Sequence, residues 1–134
     1  MQKRLEIFKA LSDEKRLRIL NLFIKTGKNL CVCELMDGLK LPQYTISKAL
    51  QVLKNINLLK YEKEGTWVYY KLNKDLPENK LLIKFLKAFL QAEVFKEDEK
   101  RISDRLSLRE NDKCVIGIIP EKELLKLIKD KNIN

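Results

Sequence analysis

The chain has 134 residues, a formal net charge of +9, three cysteines and no histidine. This length is typical of one folding unit with an appended tail. No run approaches the roughly 18 apolar residues needed to span a bilayer, which argues against a membrane-spanning protein. Residues 1–5 lead into a helical pattern rather than an apolar signal region, so we expect a cytoplasmic protein.

The positive charge is concentrated in the first half of the chain. Residues 1–76 hold 15 Lys and Arg against 8 Asp and Glu, whereas residues 77–134 hold 13 against 11. A basic surface suits the phosphate backbone of nucleic acid, although solvated lysine-rich faces are also common. Charge alone therefore leaves nucleic-acid binding open.

Two of the cysteines, Cys31 and Cys33, are separated by a single residue, and Cys114 lies far along the chain. In a reducing compartment, an odd number of cysteines with a close pair favours metal binding or redox chemistry over a disulfide framework. The alternative is that all three are small buried hydrophobic residues.

Four helices are predicted in the first half of the chain. A Ser-Asp-Glu sequence from residue 12 caps the second helix, which Gly27 ends, and a short third helix over 32–37 is broken by Gly38. Pro42 suits the first position of a fourth helix. Apolar residues at helical spacing define the long helices: Leu5, Phe8, Leu11, Leu17, Leu20, Phe23, Ile46, Leu50 and Leu53.

Residues 58–72 change to alternating periodicity, with Glu64 and Gly65 at a turn, and are predicted to form a β-hairpin. Beyond Pro77 a longer helix is predicted. Its apolar face is wide enough to contact a partner as well as its own core. Residues 96–113 are mostly charged, and Pro120 opens a small amphipathic helix. The apolar residues of the longer helix are Leu81, Leu82, Phe85, Leu86, Phe89 and Leu90.

Three helices followed by a hairpin predict a mainly α fold with a β-hairpin wing, the winged helix-turn-helix. The exposed face of the last helix before the hairpin is polar and basic, as direct readout of base edges requires. Residues on the hairpin can hold the DNA backbone. The predicted DNA-binding residues are Gln43, Tyr44, Thr45, Ser47, Lys48, Gln51 and Lys54 on the helix, and Lys63 and Thr66 on the hairpin, where Lys60 and Lys71 are further candidates.

Four segments in order, residues 8–20, 30–35, 43–50 and 64–70, resemble the arsenical-resistance repressor family (ArsR/SmtB). The resemblance covers roughly residues 4–95. It implies a homodimer joined through the first and last core helices, which binds double-stranded operator DNA as a repressor. We therefore predict a DNA-binding and dimerisation domain over 1–95 and a C-terminal extension of undetermined role over 96–134.

Within this resemblance, the Cys31-Val32-Cys33 motif points to members that sense arsenite, antimonite or soft divalent metals. As(III) and Sb(III) prefer three sulfur ligands. In arsenic sensors with this motif a third cysteine commonly follows three residues after the second, but here that position is Met36. Cys114 is the other candidate for the third sulfur; equally, it can be a buried apolar residue.

Residues i and i+2 of a regular helix point about 200° apart, so both thiols can bind one ion only if the helix start unwinds or the pair lies in its first turn. Binding is therefore expected to distort the third helix and move the recognition helix. The absence of histidine argues against a zinc sensor, while Cd(II) or Pb(II) at the thiolates stays possible, and no organic cofactor is indicated.

Three alternatives remain open from the sequence. The thiols can form a disulfide or persulfide in a redox sensor, although a Cys31 to Cys33 disulfide would be strained. A thiol oxidoreductase is less well supported, because the chain has no Cys-x-x-Cys motif and no recognisable pair of nucleophile and base. The third alternative is a constitutive DNA-binding module with core cysteines.

Overall fold

The computed structural model describes residues 1–133 and contains, over those residues, seven helices and three short strands. In chain order they are α1 (Gln2–Leu11), α2 (Glu14–Thr26), β1 (Leu30–Cys31), α3 (Val32–Leu39), α4 (Gln43–Asn55), β2 (Leu59–Glu64), β3 (Trp67–Leu72), α5 (Pro77–Phe89), α6 (Glu93–Leu106) and α7 (Glu121–Ile133). The winged helix-turn-helix predicted from the sequence is confirmed.

Helix α2 begins and ends as its sequence predicts. Asp13 is the N-cap, and its side chain accepts a hydrogen bond from the backbone N–H of Arg16 at 3.0 Å. Gly27 follows the last turn with a φ of 64°, the left-handed conformation that glycine adopts without strain. Five residues later the chain enters α3, whose N-cap is Cys31 and whose second residue is Cys33.

The prediction that Gly38 breaks the third helix is wrong. Helix α3 continues to Leu39, and the chain turns at Lys40, whose φ is 54°. A Cβ at Gly38 would lie only 3.0 Å from Cδ1 of Ile102, so glycine here allows α6 to approach α3 closely. Pro42, predicted at the first helical position, is instead the N-cap of α4.

The hairpin is confirmed, with β2 and β3 paired from Leu59 opposite Leu72 to Glu64 opposite Trp67. A third strand, β1, extends the sheet in the order β1-β3-β2 and pairs Cys31 with Tyr69. At two residues, β1 is too short to be recognised from alternation. As a consequence, the first cysteine lies directly beside the wing, opposite Tyr69.

The mostly charged residues 96–113 contain most of a helix, α6, that the sequence pattern does not predict. Ile102 joins the same buried core as Leu22 and Leu35, and α6 lies along α3 and α2. The division of the chain at residue 95 stays a prediction, although α6 begins at Glu93 and contributes to the main core. The amphipathic helix after Pro120 is confirmed as α7. Over residues 1–133, no helix is long and apolar enough to cross a membrane.

Candidate thiol site and DNA-binding surface

The three cysteines, distant in sequence, meet in one buried cluster. Sγ of Cys33 lies 3.6 Å from Sγ of Cys114. Sγ of Cys31, Sγ of Cys114 and a carboxylate oxygen of Glu34 all lie within 4.8 Å of one another. The cysteines are free thiols with 2, 7 and 2% of their surface exposed, in chain order. Three soft sulfur donors therefore lie in one buried cluster, with Cys114 between the other two cysteines in its contacts.

The start of α3 resolves the geometric conflict expected for cysteines two residues apart. Cys31 is the N-cap of α3, with extended backbone angles of φ −91° and ψ 159°, and Cys33 is the second helical residue. Because Cys31 lies outside the regular helix, the 200° separation does not apply to the pair. Of the two arrangements allowed by the sequence, the structure has the pair at the helix start, so the thiols can share a ligand without unwinding α3.

The three thiols share protons unequally. The neighbouring thiols of Cys31 and then Cys33, through hydrogen bonding, and the nearby guanidinium of Arg105 lower the pKa of Cys114. The same hydrogen bonds raise the pKa of Cys31 and of Cys33 above the usual value for a thiol. Cys114 is thus the thiol of the cluster most ready to ionise.

An ion pair between Glu34 and Arg109 borders the cluster. Nε and Nη2 of Arg109 each donate to a different carboxylate oxygen of Glu34 at 2.7 Å. Oε1 of Glu34 also accepts the backbone N–H of Cys31 at 3.1 Å, as in a capping box. Burial alone would lower the pKa of Arg109, but its hydrogen bonds to Glu34 raise it, so the guanidinium stays charged. Glu34 thereby fixes the backbone of Cys31.

The segment carrying Cys114 is held in place from two sides. Its backbone N–H donates to the hydroxyl oxygen of Tyr69 on β3 at 2.9 Å. The buried guanidinium of Arg105 donates to the carbonyl oxygen of Ile116 at 2.6 Å and to Asp37 of α3 at 2.7 Å. The wing and α3 thus both position the third sulfur.

Met36, in the place of the commonly found third cysteine, lies away from the cluster. It packs against the main core and lines a cavity of about 340 Å³ between α3, α6 and α7. The buried cluster that contains Cys31 and Cys33 contains Cys114 and Tyr69 instead, with Trp67 packed against it. The sequence named Cys114 as one candidate for the third sulfur; the contact with the pair comes from the tertiary fold.

The residues predicted to bind DNA are mostly on the surface of α4 and the wing. Seven are exposed: Gln43, Tyr44, Ser47, Lys48, Gln51, Lys63 and Thr66. Thr45 and Lys54 are half-buried, and Nζ of Lys54 lies 4.6 Å from the centre of the Tyr61 ring. Their contacts with DNA stay a prediction. Of the other hairpin lysines, Lys60 pairs with Asp75 and Lys71 with Glu62.

A cleft beside the recognition helix is lined by two basic residues that are not among the predicted DNA-binding residues. Lys15 and Arg16 of α2 line it together with Tyr44, Thr45 and Lys48. The sequence does show Lys15 and Arg16 as adjacent basic residues in the first turn of α2. Only the packing of α2 beside α4 brings them to the same surface.

A basic recognition helix, a wing and a supporting three-helix core define a winged-helix DNA-binding protein. Residues 13–61 match the family model described as "Bacterial regulatory protein, arsR family". The chain belongs to this ArsR/SmtB family and is a transcriptional regulator, not an enzyme.

Several curated proteins are similar to this chain. An uncharacterized HTH-type transcriptional regulator of Methanocaldococcus jannaschii is 49% identical over 69 residues, which cover 52% of this chain and 76% of the relative. An arsenic resistance transcriptional regulator of Pseudomonas putida is 46% identical, covering 54% and 62%, and a Staphylococcus aureus homologue of a cadmium resistance regulatory protein is 41% identical, covering 51% and 55%. The chain thus spans about three fifths of the arsenic and cadmium regulators.

Solved structures show the same fold. The transcriptional regulator HlyU of Vibrio vulnificus is 33% identical, covering 67% of this chain and 90% of that one, with a TM-score of 0.57. Reduced HlyU of Vibrio cholerae is 31% identical, covering 68% of this chain and 92% of that one, with a TM-score of 0.59. Cys31 and Cys33 lie within the residues that match the family model, whereas Cys114 lies outside them.

Proposed function

We propose that this protein is a metalloid-responsive repressor that binds operator DNA as a homodimer and releases it when As(III) or Sb(III) binds Cys31, Cys33 and Cys114. The observation that carries the proposal is the meeting of three buried sulfurs beside the helix that precedes the recognition helix. The arsenic resistance regulators among the relatives support it.

The donor set fits a soft, three-coordinate ion. Arsenite and antimonite prefer sulfur, and three thiolates satisfy them, whereas zinc sites draw on histidine and carboxylate as well as thiolate. The chain has no histidine, and the nearby carboxylate of Glu34 is engaged by Arg109. When bound, the ion would supply a covalent cross-link among the three cysteines.

The cross-linked residues would act on DNA binding through two connections. Helix α3 has Cys31 as its N-cap and Cys33 in its first turn, and it leads directly into α4 through residues 40–42. The segment carrying Cys114 contacts the wing through Tyr69 and through the Lys113 to Glu64 ion pair at 2.7 Å. Pulling these elements together would change the spacing between the recognition helix and the wing. A coupling free energy of about 1 to 3 kcal/mol between ion binding and DNA binding lowers DNA affinity about 5- to 150-fold.

The dimer would form through an apolar surface on α1 and α5. Phe8, Leu81, Phe85 and Phe89 are all exposed, and the rings of Phe85 and Phe89 stack with centres 5.0 Å apart. Monomers rarely leave such large apolar side chains together in water. Two copies related by a twofold axis place two recognition helices on an inverted repeat.

The proposal is tested by measuring DNA affinity with and without arsenite. Reduced protein is titrated into labelled DNA from upstream of its own gene, and fluorescence anisotropy is recorded. Wild type should lose at least fivefold in affinity with arsenite, whereas Cys31→Ser with Cys33→Ser should bind DNA and ignore arsenite. A full arsenite response in that double variant would refute the thiol site, and no salt-dependent DNA binding by wild type would refute the repressor.

Cadmium or lead is the second candidate inducer. Both ions prefer thiolate sulfur, and one relative is a cadmium resistance regulatory protein homologue. Parallel titrations with Cd(II) and Pb(II) separate these inducers from arsenite.

A redox response would use Cys33 and Cys114, whose sulfurs are 3.6 Å apart, rather than the strained Cys31 to Cys33 disulfide. An oxidant added in metal-free buffer, then reversed with dithiothreitol, tests it.

A further inference from the structure

A fourth potential ligand lies at the edge of the sulfur cluster. A carboxylate oxygen of Glu34 is within 4.8 Å of the sulfurs of Cys31 and Cys114, and the Glu34 side chain has no exposed surface. Cys33 joins this group through its 3.6 Å contact with Cys114. Three thiolates and one carboxylate would make up the number of ligands that a zinc-like divalent ion takes.

Arg109 occupies both oxygens of that carboxylate. Its Nε and Nη2 donate to Oε2 and Oε1 of Glu34, and the backbone N–H of Cys31 also donates to Oε1. Arg109 is itself held by the backbone, because Nη2 also donates to the carbonyl oxygen of Asn29 at 2.6 Å. A buried, two-point ion pair of this kind is hard to break for the sake of one metal bond.

We infer that Arg109 is a specificity-determining residue: it withholds Glu34 from the ion and limits the site to three sulfurs. The inference rests on the proposed thiol site. A site with three sulfurs and no carboxylate suits three-coordinate soft ions and is a poor match for ions that require four protein ligands. Selectivity against zinc-like ions thus depends on a residue 75 positions away from the carboxylate that it neutralises.

The test replaces Arg109 by methionine, which keeps an unbranched stem and removes the guanidinium. Co(II) binding is followed by its thiolate charge-transfer absorption, and arsenite binding by competition for the same thiols. The ratio of Co(II) to arsenite affinity should rise at least tenfold in Arg109→Met, because Glu34 becomes available as a fourth ligand. A ratio that does not change would overturn the inference.

The matched control is Arg109→Met combined with Glu34→Gln, which removes both charges of the pair. Its ratio should return to within about threefold of wild type. A tenfold rise that persists without the carboxylate would show that Arg109 acts through another route. The ratio of affinities is informative even when a variant weakens the binding of both ions, because a general disordering of the site lowers the affinities for Co(II) and arsenite together.

A second measurement keeps Arg109 intact, in case the unpaired buried charge of Glu34 prevents Arg109→Met from folding. Glu34→Gln alone is compared with wild type for Cd(II) and arsenite. An unchanged ratio of the two affinities supports a sulfur-only site, and a selective tenfold loss of Cd(II) affinity identifies Glu34 as a native ligand and overturns the inference. Failure of wild type to respond to arsenite on DNA would refute the proposed function without altering either ratio.

Discussion

Arg105 of α6 and Asp37 of α3 form an ion pair, with Nε 2.7 Å from Oδ2, and the same guanidinium holds the carbonyl oxygen of Ile116. Arg105 belongs to a series of three arginines spaced by four residues. Arg101 donates to the carbonyl oxygen of Gly38, and Arg109 donates to Glu34. One row of guanidinium groups thus fastens α3 along its length.

Arg105→Met is expected to uncouple the third sulfur from α3. The variant should lose about 2 to 4 kcal/mol of unfolding free energy, because removing one partner of a buried ion pair costs about 3 to 5 kcal/mol when burial is complete. Its DNA affinity should stay near that of wild type, while the loss of affinity on adding arsenite should shrink at least threefold. Urea unfolding and anisotropy measure the two effects.

The control for Arg105→Met is Lys100→Met on the same helix. Lys100 is exposed and lies 3.9 Å from Asp104, a surface ion pair worth little. This variant should match wild type in stability and in arsenite response. An equal loss of response in both variants would show that α6 acts as a whole rather than through Arg105.

Cys114→Ser should lower arsenite affinity at least 30-fold, because it removes one of three soft ligands from the site. DNA affinity without arsenite should change less than threefold, since Cys114 does not face the recognition surface. Isothermal titration with arsenite measures the first quantity. Met36→Leu is the control and should bind arsenite as wild type does; a loss in that variant equal to the loss in Cys114→Ser would point to Met36 as the third ligand.

Gly38→Ala should destabilise the fold by about 1 kcal/mol, although alanine is the better helix former. The reason is the 3.0 Å approach of the added Cβ to Cδ1 of Ile102. Combining Gly38→Ala with Ile102→Val removes that atom, so the alanine should cost less in the valine background. Urea unfolding of the four proteins measures the coupling, and an additive result would exclude this clash.

Lys63→Ala should weaken operator binding severalfold and reduce the slope of log affinity against log salt by about 1. Lys63 is exposed on the wing, and we predict that it contacts a phosphate. Lys60→Ala should have a smaller effect on the slope, because Lys60 already pairs with Asp75 at 2.8 Å. Anisotropy titrations at four salt concentrations compare them; equal slopes for Lys63→Ala and wild type would remove Lys63 from the DNA contacts.

Phe85→Asp should convert the proposed dimer into monomers, because a carboxylate would be buried in an apolar interface. Sedimentation velocity measures the change, and DNA affinity should fall with it. Leu125→Asp is a matched control, since Leu125 and Phe85 are both 57% exposed but Leu125 lies on α7. A variant Phe85→Asp that sediments as wild type does would exclude α5 from the interface.

The parts of the fold that follow local rules could be predicted from the sequence. Alternation around Glu64 and Gly65 predicted the wing, and helical spacing predicted α2, α4 and α5. Helix α6 was missed because its buried face includes Asp98 and Arg105, charges that become favourable only through Arg18 and Asp37 of other helices. A sequence pattern cannot separate such a face from a solvated one.

Some residues of the candidate site could likewise be predicted from the sequence, and others could not. The close spacing of Cys31 and Cys33 marked them as a pair, and the shortage of other cysteines made Cys114 a candidate. Arg109 carried no signal, because its pairing with Glu34 spans 75 residues and depends on where the chain turns after α6. Residues that position or restrict a site are thus harder to find than its soft ligands.

The central claim, that one ion at three sulfurs controls DNA binding, is tested most directly by titrating arsenite into a preformed complex of the wild-type protein and labelled operator. Anisotropy should fall, and the fall should be complete at one arsenite per subunit. A complex that stays intact beyond that ratio, while the thiols are shown to be occupied, would contradict control of DNA binding by an ion at these sulfurs.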